Sequence, residues 1–337
     1  MSADAPRSSA PESIDSRGFF AFLHSVAPPL RSPRSERWWA AVTSDGAPGG
    51  SAALLRHLWA RTGGDAADSQ ALGQMIWDVA AALDQLPSDR GHTEDIAVFA
   101  ARVARDPRAF DRDRPAGRLL ERALFDSDAD REALLAGLHE PELIREVLWA
   151  AAGLQRDPWG TFVLATGVQG VITRDRAVRR AMRHAGRAGL VAAYPQGEVR
   201  TWRAVFSPRR AVYVVQRSKT FGGLLAALRQ GEPPGRWPVL ALAARPLNVA
   251  ALLFLDACAV GQLRIRCSAD FTPAGLALAA ALRRRYGAQC EFWHLTPADY
   301  HRAIDAAARR GRQRPLVGRE RQRLNDLAAE FPDLAEE

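Results

Sequence analysis

Two stretches of this sequence have the pattern of parallel strands that end side by side in an α/β sheet. The first is Ala211-Val-Tyr-Val-Val-Gln216, and the second runs from Gln262 through Asp270 to Leu276 with the sequence QLRIRCSADFTPAGL. Each is an apolar, β-branched run that ends at a polar residue and leads into a helical pattern. Because ligands bind beside the carboxyl ends of strands in such sheets, Gln216 and Asp270 are candidate site residues.

The sequence around these two stretches continues the alternation of strands and helices. Apolar runs predict the strands Val212–Val215, Pro238–Ala243, Gln262–Cys267 and Gln289–Trp293. Helical spacing predicts the helices Thr220–Gln230, Asn248–Ala259 and Pro273–Tyr286. The last helix has proline in its first turn and Gly287 just past its end, which are typical boundary signals. The β-α order and the short connections predict a parallel sheet with right-handed crossovers in a domain of residues 211–308.

Residues 18–140 have helical spacing. Apolar residues recur at three- and four-residue intervals in 51–59, 71–83 and 95–103, which predicts an all-α or winged-helix-like domain. Residues 141–210, with a helix, a strand at 161–165 and a second helix, are expected to connect it to the sheet. The expected fold class is therefore α+β, with a helical N-terminal domain followed by an α/β domain.

The two ends of the chain differ from the rest in composition. Residues 1–17 are rich in Ser, Pro and Ala and lack the apolar segment of a signal peptide, so we expect a disordered leader and a cytoplasmic protein. Residues 309–337 begin with an arginine-rich run and end acidic, which is typical of a solvated or nucleic-acid-contacting tail. The three cysteines are widely spaced in apolar surroundings and are predicted to be reduced core residues.

The charge of the chain favours polyanionic partners. Lys and Arg number 46 against 38 acidic residues, a formal net charge of +8, and Lys219 is the single lysine. The basic residues are concentrated in the predicted helix of Arg174–Arg187, whose candidate phosphate contacts lie within about two turns: Arg176, Arg179, Arg180 and Arg183. The alternative is a solvated helix in an arginine-rich protein, and the sequence leaves both open.

The ends of the two key strands carry a resemblance to the toprim domain of topoisomerases, primases and some nucleases. The stretches concerned are Val215-Gln-Arg-Ser218 and Ala269-Asp-Phe-Thr-Pro-Ala-Gly-Leu276. They are most similar to JetD, the toprim subunit of SMC-type (Wadjet) plasmid-defence systems, which is related to the topoisomerase VI A subunit. Between residues 100 and 305 further segments resemble the same family: Val103–Asp111, Gly117–Leu124, Leu148–Asp157, Gly197–Glu198, Arg284–Ala288 and Leu295–Tyr300.

The resemblance implies a Mg²⁺-dependent nuclease that cleaves plasmid DNA, but the site is degenerate. In the family the two strands end in Val-Glu-Asn-Pro and Gly-Asp-Phe-Asp. At the corresponding positions of this chain Asp270 alone keeps its carboxylate, because Gln216 and Thr272 replace the other two acids. Hard cations such as Mg²⁺ bind carboxylate oxygens, so we expect these replacements to remove most of the metal affinity.

Two cations, Arg217 and Lys219, follow the first strand. One hypothesis is that they replace the charge of the missing metal and bind the phosphates of DNA. The alternative is that both side chains point to solvent.

Two functions remain open. The first is a catalytically silent or weakly active toprim protein that binds DNA. The second is an active metal-dependent DNA endonuclease, which needs a substitute carboxylate beside Asp270; Glu198 is the candidate metal ligand, with Asp256 and Glu232 as other substitutes. Candidate partners are double-stranded DNA, an SMC-like ATPase complex and a second copy of the chain. No membrane partner is expected, because the apolar runs are too short to span a bilayer.

Overall fold

The computed structural model describes residues 16–44, 50–87, 93–136, 138, 141–157, 159–243, 247–296, 298–299, 301–302, 305 and 309. The leader predicted for 1–17 and the tail predicted for 309–337 lie outside these residues, apart from Ser16, Arg17 and Arg309. The chain forms two compact units. One comprises residues up to Arg131 together with Leu148–Arg156, and the other comprises Glu132–Val147 and the residues from Asp157 onward.

The first unit is helical. Its helices are α1 (Ser16–Ser25), α2 (Pro33–Thr43), α3 (Gly50–Thr62), α4 (Ala66–Asp84), α5 (Ile96–Ala104) and α6 (Pro115–Ser127). Its strands within the described residues are β1 (Glu94–Asp95) and β2 (Leu154–Gln155), which pair in parallel. This two-residue pair differs from the hairpin of a winged helix, so the described part of the unit matches the all-α alternative. Before β2 the chain forms α7 (Arg131–Leu134) and α8 (Pro141–Ala151).

The core of the first unit is built from the apolar faces of these helices. α2, α3 and α4 all pack on α6, and the largest side chains between the helices are fully buried: Phe19, Trp38, Leu55, Ile76, Phe99 and Leu119. The helix starts follow the local sequence, since Asp65 and Asp95 accept hydrogen bonds from the first-turn amides of α4 and α5. Such N-caps satisfy amides that have no partner within the helix.

The second unit alternates strands and helices. Its first elements are β3 (Phe162–Thr166), β4 (Gly170–Ile172), α9 (Arg176–Ala188), β5 (Ala192–Pro195), α10 (Gln196–Val199) and β6 (Ala204–Phe206). These are followed by β7 (Ala211–Val215), α11 (Ser218–Gly231), β8 (Val239–Leu242), α12 (Val249–Val260), β9 (Arg264–Ser268), α13 (Pro273–Tyr286) and β10 (Cys290–Phe292). The strands and helices predicted between residues 211 and 293 are thus confirmed with small shifts of their ends.

Six of these strands form one mixed sheet in the order β10-β9-β7-β8-β3-β5. β10, β9, β7 and β8 are parallel, as predicted. β3 is antiparallel to both β8 and β5, so the strands of the 141–210 segment extend the same sheet. β4 and β6 form a separate antiparallel pair.

Helices cover both faces of the sheet. α11 packs on β7 and β8, whereas α12 and α13 pack on β9, with α12 also reaching β3 and α13 reaching β10. Side chains alternate between the faces along each strand, so Val212 and Val214 share one face while Tyr213 and Val215 share the other. The three cysteines are free and buried in this unit, as predicted, and burial raises the pKa of the Cys290 thiol to about 12. Among the described residues, every helix is too short or too polar to span a lipid bilayer.

A candidate anion-binding site at the carboxyl ends of β7 and β9

The strand order places a topological switch point between β7 and β9. From β7 the chain passes through α11 to β8 on one side, and from β9 it passes through α13 to β10 on the other side. The two helices therefore leave a crevice at the carboxyl ends of the two central strands, where open α/β sheets bind ligands. Gln216 directly follows β7 and Asp270 lies two residues after β9, so both candidates lie at this crevice.

The structure brings Gln216, Arg217 and Asp270 into direct contact. Asp270 N donates to Gln216 Oε1 at 3.2 Å, and Arg217 Nε donates to Asp270 Oδ2 at 2.5 Å. Gln216 is 8% exposed, and its Nε2 has no hydrogen-bond partner within the described residues. A buried amide group without an acceptor carries a desolvation penalty that a bound oxygen atom would relieve.

The two helix starts at the crevice differ in how they are capped. Thr272 is the N-cap of α13, and its Oγ1 accepts a hydrogen bond from Gly275 N at 3.2 Å. Arg217 is the N-cap of α11 and makes no side-chain cap. Within the described residues, the first amides of α11 therefore lack an acceptor from the N-cap side chain, at an end that carries partial positive charge. Lys219 lies exposed in the same turn, so this end of α11 combines free donors with a cation.

Gly275 fixes the turn between β9 and α13. A Cβ atom at Gly275 would lie 2.1 Å from Asp270 O, which is backbone rather than a movable side chain. Thr272 N also donates to Asp270 O, at 2.7 Å. The carbonyl of Asp270 is thus enclosed by the first turn of α13, and glycine is required for this approach because any larger residue would displace it.

The candidate metal ligand Glu198 is not brought near Asp270. It lies in α10 directly after β5, and β5 is four strands away from β9 in the sheet. At about 4.8 Å per strand this separation is roughly 19 Å, which is too far for one metal ion to join the two carboxylates. Burial raises the pKa of Glu198. Burial, followed by the charge of Glu198, also raises the pKa of Tyr194 to about 12.

The other two substitute carboxylates are held by arginines elsewhere. Asp256, in α12, accepts from Arg285 Nε at 3.0 Å and from Arg285 Nη2 at 2.8 Å. Glu232 follows α11, before the start of β8, and pairs with Arg209. The described residues contain no group of three His, Cys, Asp or Glu side chains suited to a metal ion.

The donor set at the crevice fits Mg²⁺ poorly. The carboxylate of Asp270 is paired with Arg217, and the amide oxygen of Gln216 already accepts a hydrogen bond. Mg²⁺ binds carboxylates and phosphate oxygens in a strict octahedral geometry, and a guanidinium in contact with the carboxylate of Asp270 opposes a second cation. The same guanidinium and the amides of α11 are suited to phosphate oxygens.

The predicted phosphate-binding arginines of α9 lie exposed on a separate part of the unit. Asp175 caps this helix, and Gly189 ends it in the left-handed conformation. Gly189 lies against Trp237, which precedes β8, so this end of α9 is at the edge where the parallel strands start. The crevice is at the opposite edge. Thus two basic surfaces exist in the second unit: one at Arg217 and Lys219, and one formed by Arg176, Arg179, Arg180 and Arg183.

One of the four α9 arginines contacts its surroundings, since Arg179 Nη1 donates to Thr173 O at 3.0 Å. Within the part of the chain that the structure describes, the side chains of Arg176, Arg180 and Arg183 make no ion pair or hydrogen bond. Asp175 is the one acidic residue of the segment and its Oδ1 accepts from two helix amides. The positive charge of α9 is therefore not neutralised locally.

A third arginine-rich region, on β9, was not predicted from the sequence. Arg264 and Arg266 lie on β9 and share Glu291 of β10 as an acceptor. The signal was present in the sequence, because these arginines alternate with the buried Leu263, Ile265 and Cys267, and such alternation is typical of a strand with one open face.

Comparison with known proteins gives two family matches. Residues 20–170 match a family described as "Protein of unknown function N-terminus (DUF3323)". Residues 193–336 match a family described as "Protein of unknown function C-terminus (DUF2399)". No curated protein and no solved structure matches the chain. The N-terminal part of the chain is thus similar to the first family and the C-terminal part to the second.

Proposed function

We propose that this chain is a DNA-binding, JetD-like toprim protein whose metal site has become a phosphate-binding site with little or no catalytic activity. The observation that carries the proposal is the 2.5 Å ion pair between Arg217 and Asp270. The guanidinium is paired with the carboxylate that a toprim enzyme would use to bind Mg²⁺. A fixed cation can bind a phosphodiester, but it does not lower the pKa of an attacking water as a metal does.

The second support for DNA as the ligand is the exposed charge of α9. A 13-residue helix is about 20 Å long, so its arginines can reach several phosphates of one duplex. Each phosphate neutralised contributes about −0.9 to the slope of log K against log salt for duplex DNA. Contacts of this kind carry affinity without sequence readout, which suits a protein that receives DNA from an SMC-like ATPase complex, as the family resemblance implies.

The test is a plasmid nicking and cleavage assay with Mg²⁺ or Mn²⁺, run beside a DNA-binding titration at several salt concentrations. We expect no cleavage by the wild-type chain and salt-dependent binding that survives in Asp270→Ala. Lys219→Ala and Arg180→Gln should each weaken binding about two- to tenfold, with a slope shallower by about one for each lost phosphate contact. The exposed Arg61→Gln on α3 removes the same charge and is the control.

Two results would contradict the proposal in different ways. Metal-dependent cleavage that disappears in Asp270→Ala would show that the site is an active nuclease with a ligand from elsewhere. If DNA binding were absent at low salt, or if Arg61→Gln weakened binding as much as Arg180→Gln does, α9 would not be a DNA-binding surface.

A further inference from the structure

The face of the sheet that α11 partly covers carries a second cavity, with lining residues different from those of the crevice at Gln216. Its volume is about 700 Å³, within the range of sites that bind small molecules. It reaches Ala211, Pro238 and Arg264, which lie where β7, β8 and β9 start. It also reaches Trp293, just past the end of β10, but Gln216, Arg217 and Asp270 are not among its lining residues, so it is distinct from the crevice.

The cavity exists because one helix covers only half of this face. α11 packs on β7 and β8, and its side chains Leu224, Ala227 and Leu228 form one wall. Beyond α11 the same face continues across β9 and β10. On this face Tyr213 of β7, Arg266 of β9 and Glu291 of β10 lie in register on three adjacent strands. The cavity therefore has an apolar wall formed by α11 and a polar floor formed by the strands, which carries arginines.

Positive charge exceeds negative charge in this cavity. Its lining includes four arginines, namely Arg209, Arg210, Arg264 and Arg266. They share two carboxylates, since Glu232 pairs with Arg209 and Glu291 pairs with both arginines of β9. Within the described residues, the four arginines therefore exceed their carboxylate partners by two charges. A phosphate monoester carries about −1.5 to −2 charges at neutral pH, which matches this excess.

Arg210 is a lining residue of the cavity whose side chain is available to bind an anion. Its side chain is exposed and has no hydrogen bond or ion pair within the described ranges. Its backbone is held in the left-handed region at φ 48°. Two hydrogen bonds fix it there, because Arg210 N donates to Ser207 O at 3.1 Å and Arg264 N donates to Arg210 O at 2.8 Å. Left-handed arginine is uncommon and persists where the surrounding structure enforces it.

Two lining residues of the cavity, Tyr213 and Trp293, offer flat surfaces to an aromatic ring. The Trp293 and Tyr213 rings meet edge to face with centroids 4.8 Å apart. The guanidinium of Arg266 lies 5.5 Å from the Tyr213 ring centroid and is held by Tyr213 Oη at 2.7 Å and by Glu291 at 3.2 Å. Planar guanidinium and indole groups bind bases by stacking.

We propose that this cavity binds a nucleotide, with the base between Trp293, Tyr213 and the leucines of α11, and with the phosphate on Arg210 and Arg264. The cavity size, the excess of about two positive charges and the neighbouring aromatic rings each match this ligand class. The site is separate from the DNA-binding surfaces proposed above and does not depend on them.

The test is isothermal titration of the full chain with the four ribonucleoside 5′-monophosphates, the matching nucleosides and inorganic phosphate. We expect at least one monophosphate to bind with 1:1 stoichiometry and at least tenfold more tightly than its nucleoside and than phosphate alone. Ala227→Glu, which adds bulk and negative charge to an exposed lining position, should weaken it at least tenfold. Ala226→Glu makes the same change on the adjacent exposed residue outside the cavity and should have less than a twofold effect.

A second pair of variants tests the phosphate contact. Arg210→Gln should weaken the monophosphate at least tenfold without affecting the nucleoside, while Arg229→Gln, on the exposed side of α11, should change neither. The proposal is overturned by the absence of saturable binding of every monophosphate, by equal effects of the two glutamate variants, or by displacement of the bound monophosphate by a short DNA duplex.

Discussion

Arg217 Nε lies 2.5 Å from Asp270 Oδ2 and joins the segments that follow β7 and β9, which are 53 residues apart in the chain. The arginine side chain is 63% exposed and the aspartate side chain 25% exposed. Exposed ion pairs of this kind contribute about 0.2–1 kcal/mol to stability. The pair therefore affects the electrostatic potential of the crevice more than it affects folding.

The first prediction follows from this balance of charge. Asp270→Asn removes a negative charge at the crevice and frees Arg217, so it should tighten DNA binding by about threefold. The reason is that the Asp270 carboxylate and a bound phosphate about 6 Å apart in water repel each other by roughly 0.7 kcal/mol. Arg217→Gln should weaken binding by a similar factor. A filter-binding or anisotropy titration measures both. If Asp270→Asn weakened binding, the carboxylate would be serving the ligand, as a metal-bridged phosphate requires.

A second prediction concerns the close approach at Gly275. Gly275→Ala forces a Cβ against Asp270 O, where the ideal separation would be 2.1 Å, and should lower the free energy of unfolding by about 1–3 kcal/mol through overpacking. Gly222→Ala, in α11, meets no atom within 4 Å and should raise stability by about 0.5–1 kcal/mol through helix propensity. Urea denaturation compares them. Equal effects would mean that the turn after β9 adapts without strain.

The elements around this turn were predictable because their signals are local. β7 and β9 are β-branched or alternating runs, and α13 begins and ends at the predicted residues Pro273 and Tyr286. Proline in the first turn and glycine after the last are physical boundary signals, since each residue favours the backbone conformation required there. Asp270 and Gln216 could therefore be placed at one edge of the sheet from the sequence alone.

Long-range pairing was not predictable in the same way. β5 is four residues long and contains Pro195, which weakens a strand signal but is tolerated because β5 is an edge strand. The antiparallel pairing of β3 with β8 depends on strand order, which no local pattern specifies. Glu198 was a candidate ligand because Gly197–Glu198 resembles a family segment, and the sequence could not show that Glu198 follows a strand four places from β9.

A third prediction concerns the buried ion pair that holds α12 and α13 together. The Arg285 side chain is 11% exposed and binds Asp256 through two nitrogens, while Tyr286 Oη donates to Asp256 Oδ1 at 2.8 Å. Burial alone would lower the pKa of Arg285, but the hydrogen bonds and charge of Asp256 outweigh it and raise the pKa. Asp256→Ala leaves this buried cation without a counter-charge and should cost about 2–4 kcal/mol of stability.

The control for this change is an ion pair of the same chemistry at the surface. Arg264 pairs with Glu291 at 3.0 Å with its side chain 67% exposed, so Arg264→Ala should cost less than about 1 kcal/mol. Chemical denaturation of both variants gives the comparison. Similar losses for the two would show that burial does not set the strength of the α12–α13 pair. If Asp256→Ala instead abolished a metal-dependent activity while remaining folded, Asp256 would be a ligand rather than a structural residue.

The last prediction uses pH to test Glu198. Burial raises its pKa in the folded chain above the ordinary value of 4.5, so the folded state binds the proton more tightly than the unfolded state does. Stability from this group is then fully present below pH 4.5 and is lost as pH rises through the folded pKa.

Glu198→Gln removes this loss and should be more stable than wild type at pH 7 but nearly equal to it at pH 4. Glu132→Gln makes the same change at an exposed position and is the control. Thermal unfolding with and without Mg²⁺ adds the decisive comparison, because a metal ligand would make wild type more stable than Glu198→Gln once Mg²⁺ is present.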